Sequence, residues 1–417
     1  PAASAERRFR RLNPYFSINV SVRRIVLLNG KIKPEDALKK ISLVVLTLST
    51  LFTFCKTAEK IDRIRESGVE VVLNHIEPYD LKKQLSTFDL QTVLTIDTEN
   101  EDLAKAGMGS AGEFDVDGQG NIFIVGFKNL KNFIYRFDSQ GRLLNSFGRK
   151  GQGPGEIEWP FLDRVFDDGR IALTDLMSKY IVFDRNGNAL REFRPRFSIS
   201  YIYPLDNGRL LVQKPRYEAR TSKYGSYPYA LRLCESNFAE IKELDHFHWP
   251  ADGGNEKRLP YFLWRVSSGH IYIANQERGY EILDYDLEGN LRRKIRKEYH
   301  PVAPTPAIRK SILGPNYNQP RVARYFPDPM PPICSLFVDD EGRLFVMTYE
   351  SGDRSGEYVW DIFNSDGVFI GRKSLGFFWL GLQYGSKYAM IKKGLFYGYK
   401  EKENGYRELT VQKIIWK

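Results

Sequence analysis

Beyond residue 110, the chain alternates short apolar runs with turns rich in Asp, Asn and Gly. The first copy of this pattern runs from Phe114 to Leu144 and has turn glycines at Gly120 and Gly141. Glycine closes a tight hairpin because it adopts positive φ without steric strain, and Asp or Asn bonds to the turn backbone. The flanking β-branched and aromatic residues suit a pleated, half-buried surface. Each copy therefore predicts two hairpins, or four antiparallel strands.

The pattern recurs six times. In four copies the first turn glycine precedes the second by 18 to 25 residues: Gly120 and Gly141, Gly169 and Gly187, Gly269 and Gly289, Gly342 and Gly367. The third copy keeps a first hairpin around Gly208, and the sixth, around Gly394, has room for only three strands. One unit cannot bury both of its faces, whereas a ring of units can. Two stacked β-sandwiches would not require the same turn six times. The sequence thus predicts an all-β fold, a six-bladed β-propeller of four-stranded antiparallel blades.

The segment ahead of the repeats has the pattern of an export signal. Lys39 and Lys40 precede 14 uncharged, mostly apolar residues, which end at Phe54 and are followed by Cys55. A short basic region, an apolar run and a boundary residue are typical of such signals. Fourteen residues rise only about 21 Å as a helix, less than the roughly 30 Å hydrocarbon core of a bilayer. A membrane-spanning helix is therefore the weaker interpretation.

Cys55 resembles the lipid-modified cysteine of bacterial lipoproteins, because it directly follows the apolar run. Phe54 stands where such proteins usually have a small residue. Lipidation of Cys55 is the favoured interpretation. Cleavage without lipidation and an uncleaved anchor with an ordinary cysteine are the alternatives.

The domain assignment follows from these patterns. Residues 38–55 form the export signal, 56–67 a linker and 68–417 the propeller. Residues 1–37 are either a non-native upstream extension or a basic tail. The first interpretation rests on Leu38-Lys39-Lys40, which looks like the Met-Lys-Lys with which a protein begins. A non-ATG start codon translated as leucine would explain Leu38.

The net charge of +10 is concentrated near the N-terminus. Residues 1–60 carry 12 basic and 4 acidic groups, and the other 357 residues carry 50 basic and 48 acidic groups. The body of the protein is therefore nearly neutral, at +2. A localised basic tail is poor evidence for nucleic-acid binding, and no nucleic acid is predicted as a partner.

The repeats also resemble a known family. The copies look like NHL-type repeats, and Phe147–Ile157 followed by Trp159-Pro160 is similar to the blade linker of bacterial six-bladed β-propeller lipoproteins. Pro331-Pro332-Ile333 and Gly68–Asn74 resemble the same family. The resemblance covers residues 68–417 and implies that an N-terminal strand closes the ring. We expect Val69–Leu73 to supply the outer strand of the sixth blade.

A long insertion, residues 301–333, is the candidate binding surface. Its basic residues outnumber the acidic ones, and Tyr and Phe are interleaved with them. Long loops on a rigid scaffold commonly bind ligands, and exposed Arg and Tyr supply bidentate donors and contact area. The alternative is that the insertion has only a structural role, packing against the ring without binding a ligand. The candidate ligand-binding residues are Arg309, Lys310, Tyr317, Arg321, Arg324 and Tyr325.

The predicted function is that of an exported, membrane-tethered binding or scaffold protein of the cell envelope. We expect a monomer that binds an unknown protein or an anionic small ligand or glycan, without a cofactor. The alternative is a propeller enzyme, a metal-assisted lyase or hydrolase with its site in the central channel. No Ser/His/Asp or Cys/His constellation and no metal-ligand set can be assembled from the sequence, so no catalytic or metal-binding residues are assigned and a non-enzymatic role is favoured.

Overall fold

The computed structural model describes residues 61–81, 84–127, 132–175, 179–194, 201–215, 228–248, 262–313, 328–376, 389–402 and 407–417. These residues form 28 strands, two short α-helices and one 3₁₀ turn. Three strands precede the repeats: β1 (Asp62–Glu66), β2 (Val69–Asn74) and β3 (Phe88–Asp97). The helical segments are α1 (Glu101–Lys105), α2 (Pro306–Leu313) and the 3₁₀ turn Gln276–Arg278.

Most of the remaining strands form six sheets, numbered here as blades 1 to 6 in chain order. Blade 1 contains β4 (Ser110–Val116), β5 (Ile122–Phe127), β6 (Ile134–Phe137) and β7 (Leu143–Phe147). A two-stranded ribbon, β8 (Arg149–Lys150) and β9 (Glu156–Ile157), links it to blade 2. Blade 2 contains β10 (Pro160–Val165), β11 (Ile171–Asp175), β12 (Lys179–Phe183) and β13 (Ala189–Phe193). Blade 3 contains β14 (Tyr201–Pro204), β15 (Leu210–Pro215), β16 (Pro228–Cys234) and β17 (Glu240–His248).

The other three blades include the strands that precede the repeats. Blade 4 contains β18 (Phe262–Ser267), β19 (His270–Asn275), β20 (Glu281–Asp286) and β21 (Leu291–Lys297), and is widened by β2 and β1. Blade 5 contains β22 (Ser335–Val338), β23 (Leu344–Ser351), β24 (Glu357–Phe363) and β25 (Phe369–Gly376). Blade 6 contains β26 (Ala389–Lys392), β27 (Leu395–Glu401), β28 (Arg407–Trp416) and β3. The predicted six-bladed, four-stranded antiparallel propeller is confirmed.

The turns have the chemistry that the sequence predicts. Gly120 has φ 87°, and the Asp117 carboxylate accepts from the backbone N–H groups of Gln119 and Asn121, both at 2.8 Å. An L-residue with a side chain would be strained at this φ. The same Asp-to-backbone arrangement recurs in later turns, at Asp138, Asp184, Asp286 and Asp339.

The core is divided among the interfaces between blades. The described residues form six apolar clusters, and each cluster lies between one pair of neighbouring blades, including blades 6 and 1. In β19, for example, Ile271 and Ile273 pack toward blade 3, whereas Tyr272 and Ala274 pack toward blade 5. Side chains alternate across a strand with period two. Each sheet therefore buries both faces, and the ring is closed.

The strand that closes the ring differs from the prediction. β3, not Val69–Leu73, pairs antiparallel with β28, from Phe88 opposite Trp416 to Asp97 opposite Glu408. A register shift at Val93 reverses the faces, so that Phe88 and Leu90 pack toward blade 5 and Ile96 packs toward blade 1. An N-terminal strand thus closes the ring as predicted, but the expected segment was wrong.

Val69–Leu73 lies instead in β2, at the edge of blade 4. β2 pairs parallel with β21, and β1, which falls within the predicted linker, pairs antiparallel with β2. Opposite charges favour the pairing of the β1–β2 hairpin with β21, because five of the seven residues of β21 are basic. Glu66 accepts from Arg296 at 2.8 Å and from Lys294 at 3.1 Å, and Glu70 contacts Arg293 at 3.2 Å. The Arg296 and Lys294 hydrogen bonds lower the pKa of Glu66 to about 2.

Between β2 and β3, the chain crosses blade 5. The Tyr79 N–H donates to the carbonyl of Phe369 at 2.9 Å, and the Asn364 amide donates to the side chain of Gln84 at 3.2 Å. A Cβ on Gly371 would lie 2.0 Å from the carbonyl oxygen of Ser86, so only glycine admits this close approach. The segment before the repeats therefore contacts blades 4, 5 and 6 in turn.

Two truncations test which segment closes the ring. A chain that begins at Gln84 lacks β1 and β2 but retains β3, and we expect it to unfold cooperatively with a modest loss of stability. A chain that begins at Glu99 also lacks β3, so β28 becomes an unpaired edge and the buried Phe88 is lost. Loss of such a phenylalanine alone costs about 3–5 kcal/mol. Chemical denaturation followed by circular dichroism should show a much larger drop for the second chain. Equal denaturation midpoints would show that β3 does not close the ring.

Candidate ligand-binding site in the central channel

The inner strands of the blades surround a central channel. They are β4, β10, β14, β18, β22 and β26, the first strand of each blade, and neighbouring inner strands contact one another around much of the ring. A cavity of about 370 Å³ lies within the channel. Residues of all six inner strands line it, together with residues of the turns that follow them, such as Asp167, Asp206 and Gly269. The cavity therefore lies toward the end of the channel where these turns are.

Inner strands have a free edge that faces the channel, and its backbone amides need partners. Buried carboxylates from the preceding blade supply some of them. The Leu162 N–H donates to Glu113 and the Val165 N–H donates to Asp115, both at 2.8 Å. Asp163, also buried, accepts from the hydroxyl of Thr174 at 2.6 Å. Glu113 and Asp115 thus hold blade 1 to blade 2, which gives a structural reason for these two acidic residues beside the channel, whereas the Asp163 contact lies within blade 2.

Two basic side chains at the mouth of the cavity are also engaged. Arg164 donates to Asp206 at 2.6 Å and to the carbonyl of Pro204 at 2.7 Å, and so joins blades 2 and 3. Lys392 donates to Asp167 at 2.9 Å and to the carbonyl of Val116 at 2.8 Å, and so joins blade 6 to blades 2 and 1. The hydrogen bond from Lys392 lowers the pKa of Asp167. The pair Arg164–Asp206 and the pair Lys392–Asp167 therefore each have a net charge close to zero.

Arg265, in β18, differs from these two. Its guanidinium donates to the carbonyl of Trp264 at 2.8 Å and lies 5.9 Å from the centroid of the Phe337 ring. Within the described parts of the chain, no carboxylate lies within salt-bridge distance of it. Burial lowers the pKa of Arg265 to about 10, an effect that Tyr201 and Tyr203 oppose. The group therefore stays charged at neutral pH, with donors open to the cavity.

Aromatic side chains stand beside Arg265. Tyr201 and Tyr203 alternate with buried Ile202 along β14, so both tyrosines lie on one face of the strand, and both line the cavity. Their rings contact the edge of Trp264, at centroid distances of 6.4 and 5.8 Å. The Trp264 indole N–H donates to Gln213 at 3.1 Å, which fixes the indole in place. The cavity thus combines one cationic group without a carboxylate partner and a rigid aromatic wall.

Arg309 and Lys310, the two described residues among those predicted from the 301–333 insertion, do not line this cavity. Arg309 and Lys310 lie in α2, in the connection between blades 4 and 5, at the opposite end of the ring from the inner-strand turns. Ile308 packs α2 onto the core of blade 5, and the Arg309 Nε–H donates to the carbonyl of Pro304 at 3.0 Å. Tyr317, Arg321, Arg324, Tyr325 and Cys55 lie outside the described residues, and the roles assigned to all of these residues stay predictions.

The sequence analysis missed Arg265, Tyr201 and Tyr203. One signal was present in the sequence. Both faces of each sheet are buried, so the stretch Phe262–Val266 of the inner strand β18 should be apolar throughout, and Arg265 interrupts it. A charged residue in such a strand marks a position open to the channel or paired with another charge. The sequence could not distinguish these two cases, because the partner would lie on another blade.

The described residues contain neither a metal-binding cluster nor a membrane-spanning helix. No group of three or more His, Cys, Asp or Glu side chains there lies close enough together to hold a metal ion. No helix among those described is long and apolar enough to cross a membrane.

Comparison with known proteins shows likeness only among solved structures. No family model matches the chain, and no curated protein matches it. A crystal structure of a DUF4221 family member from Bacteroides vulgatus is 12% identical, with 80% of this chain and 100% of that chain covered and a TM-score of 0.47. A protein of unknown function from Bacteroides caccae is 14% identical, with 68% and 85% covered and a TM-score of 0.34. KlHsv2, with its loop 6CD replaced by a Gly-Ser linker, is 7% identical, with 74% and 97% covered and a TM-score of 0.35. None of these matches identifies the chain as an NHL-type or lipoprotein family member, and none transfers a function to it.

Proposed function

We propose that the protein is a binding protein whose propeller holds a small ligand in the central channel. The observation that carries this proposal is the cavity of about 370 Å³, which combines polar groups with the aromatic wall of Tyr201 and Tyr203. Ligand pockets of proteins are typically concave, of about 300–1,000 Å³, and combine apolar walls with a few placed polar groups. The cavity is within this range and is lined mainly by the inner strands, with a few residues of the turns that follow them.

The ring supports binding better than it supports catalysis. Asp115, Asp163 and Glu113, the buried carboxylates next to the channel, accept hydrogen bonds from backbone or hydroxyl donors of neighbouring strands. A general acid or base must be free to exchange a proton with the substrate. Glu113 and Asp115, which hold the channel-facing edge of β10 in place, serve the ring instead. A lyase or hydrolase function therefore has no specific observation in its favour here.

The cellular location is a second part of the proposal. We propose that the protein is exported and tethered to a membrane of the cell envelope through a lipid on Cys55, as a monomer of the NHL-type, lipoprotein-like class that its sequence resembles. The basic pair, the apolar run and the following cysteine support this proposal. A tethered propeller would bind its ligand outside the cytoplasm.

Metabolic labelling tests the tether. When the protein is made in a bacterial host fed a labelled fatty acid, the wild-type chain should carry the label and Cys55→Ser should not. Cys334→Ser is the matched control, because it makes the same exchange at a free, partly buried cysteine of the propeller, and it should keep the label. Label retained in Cys55→Ser would contradict lipidation of that residue.

A cavity-filling substitution tests the channel site. Val266 lines the cavity from β18, so the larger ring of Val266→Trp should occupy space that a ligand needs. Ile241→Trp adds an indole on the exposed outer strand of blade 3 and serves as the control. In a ligand-observed NMR screen of small carboxylates, amides and sugars, wild type and Ile241→Trp should share binders that Val266→Trp weakens about tenfold or more. A screen in which no compound distinguishes the two variants would reject the channel as the binding site.

A further inference from the structure

The charge inside the cavity indicates which ligand it fits. Arg164 and Lys392 are each paired with a carboxylate, at 2.6 and 2.9 Å, whereas Arg265 has none among the described residues. A guanidinium has five N–H donors in a planar fork. The described structure gives Arg265 one hydrogen bond, to the Trp264 carbonyl. Donors therefore remain available to a ligand.

Burial makes this arrangement costly without a ligand. Taking a charge out of water is unfavourable unless an opposite charge or several hydrogen bonds compensate for the lost hydration. The low pKa of Arg265 reports this penalty. Two other partly buried arginines of the ring have carboxylate partners, Arg278 in Asp245 and Arg372 in Asp361. Arg136, which does not line the cavity, has no such partner among the described residues and lies over the ring of Phe123. Of the arginines that line the cavity, Arg265 is the one without a carboxylate partner in the described structure, and unpaired charges of this kind occur mainly at functional sites.

We propose that Arg265 binds the carboxylate of a small organic monoanion whose apolar or aromatic body lies against Tyr201 and Tyr203. This inference rests on the proposed channel site and specifies its ligand. A planar guanidinium matches a carboxylate in a bidentate geometry, and tyrosine rings provide rigid apolar contact surface. One uncompensated positive charge matches a single negative charge.

The mouth of the cavity disfavours a more highly charged ligand. Asp167, Asp206 and Asp340 all lie there, in the turns that follow three of the inner strands. Asp167 and Asp206 are neutralised by Lys392 and Arg164, so the rim adds no free positive charge. Phosphate, which carries more than one charge near neutral pH, would meet a single unpaired guanidinium, because Lys392 and Arg164 are already paired with Asp167 and Asp206. We therefore expect a monocarboxylate to bind better than inorganic phosphate.

Isothermal titration with three probes tests the inference. Benzoate, its neutral analogue benzamide and inorganic phosphate are titrated into the wild type, Arg265→Met and Val266→Trp. Benzoate should bind the wild type more tightly than benzamide or phosphate does. A hydrogen-bonded charge pair contributes about 1.5–3 kcal/mol, so Arg265→Met should weaken benzoate about 10- to 100-fold and leave benzamide nearly unchanged.

The stability of the ligand-free variants separates a binding role from a structural one. Arg265→Met removes a partly buried charge that has no carboxylate partner among the described residues, so its Tm should equal or exceed that of wild type. Arg164→Met is the matched control, because it removes a paired arginine of the same cavity and should lower the Tm. An Arg265→Met variant that is destabilised as much as Arg164→Met would show that Arg265 supports the ring, and would overturn the inference.

The outcomes also separate this inference from the proposed channel site. If benzoate and benzamide bind equally well and Val266→Trp excludes both, the channel site stands and carboxylate recognition by Arg265 is wrong. If benzoate does not bind the wild type at millimolar concentration, the inference is wrong as well. If, in addition, no other compound is sensitive to Val266→Trp, the channel site also fails.

Discussion

Closure of the ring is the constraint on which the rest of the structure depends. Each blade is apolar on both faces, and a sheet of this kind is stable only between two neighbours. Six blades provide six interfaces, each with its own apolar cluster, only if the first and last blades meet. The pairing of β3 with β28 places strands from both sides of the repeats in blade 6. Phe88 and Ile96 then extend two different interfaces from the same strand.

The channel is a consequence of this closure. Inner strands brought edge to edge around an axis present unpaired backbone groups to the centre, and Glu113 and Asp115 satisfy some of them from the neighbouring blade. Ion pairs such as Arg164 with Asp206 then join the turns at one end. Against this background of paired charges, Arg265 stands out. It is partly buried, charged and open to the cavity, and its pKa is lowered because burial disfavours its charged form.

The sequence predicted the fold class because its signals are local. Most of the turns have Gly at positive φ with Asp or Asn before it, and short apolar strands lie on either side, so six copies of the pattern predicted six blades. Assignment of the closing strand failed because two strands, β2 and β3, precede the repeats and the more apolar one, β2, was chosen. What distinguishes them is the partner: Glu66 and Glu70 of the β1–β2 hairpin match the basic β21, and the longer β3 matches β28.

The candidate site was less accessible to sequence analysis for a related reason. Binding residues were sought in a long basic insertion, where composition is visible, and Arg309 of that insertion lies away from the cavity. The distinctive property of Arg265 within the cavity is that no carboxylate of the described residues lies within salt-bridge distance of it. Whether a charged side chain has an opposite charge on another blade depends on the closed ring, so a local sequence pattern cannot predict it. A charged residue within an apolar inner strand is the one sequence signal that indicates such a position.

A crystal soaked with 4-bromobenzoate, with data collected at the bromine absorption edge, tests the account most directly. The anomalous signal locates the bromine atom, and the density around it shows the orientation of the carboxylate. The account predicts one bromine site inside the channel, with the carboxylate on the guanidinium of Arg265 and the ring against Tyr201 and Tyr203. A bromine site elsewhere on the protein with an empty channel, or a carboxylate turned away from Arg265, would contradict it.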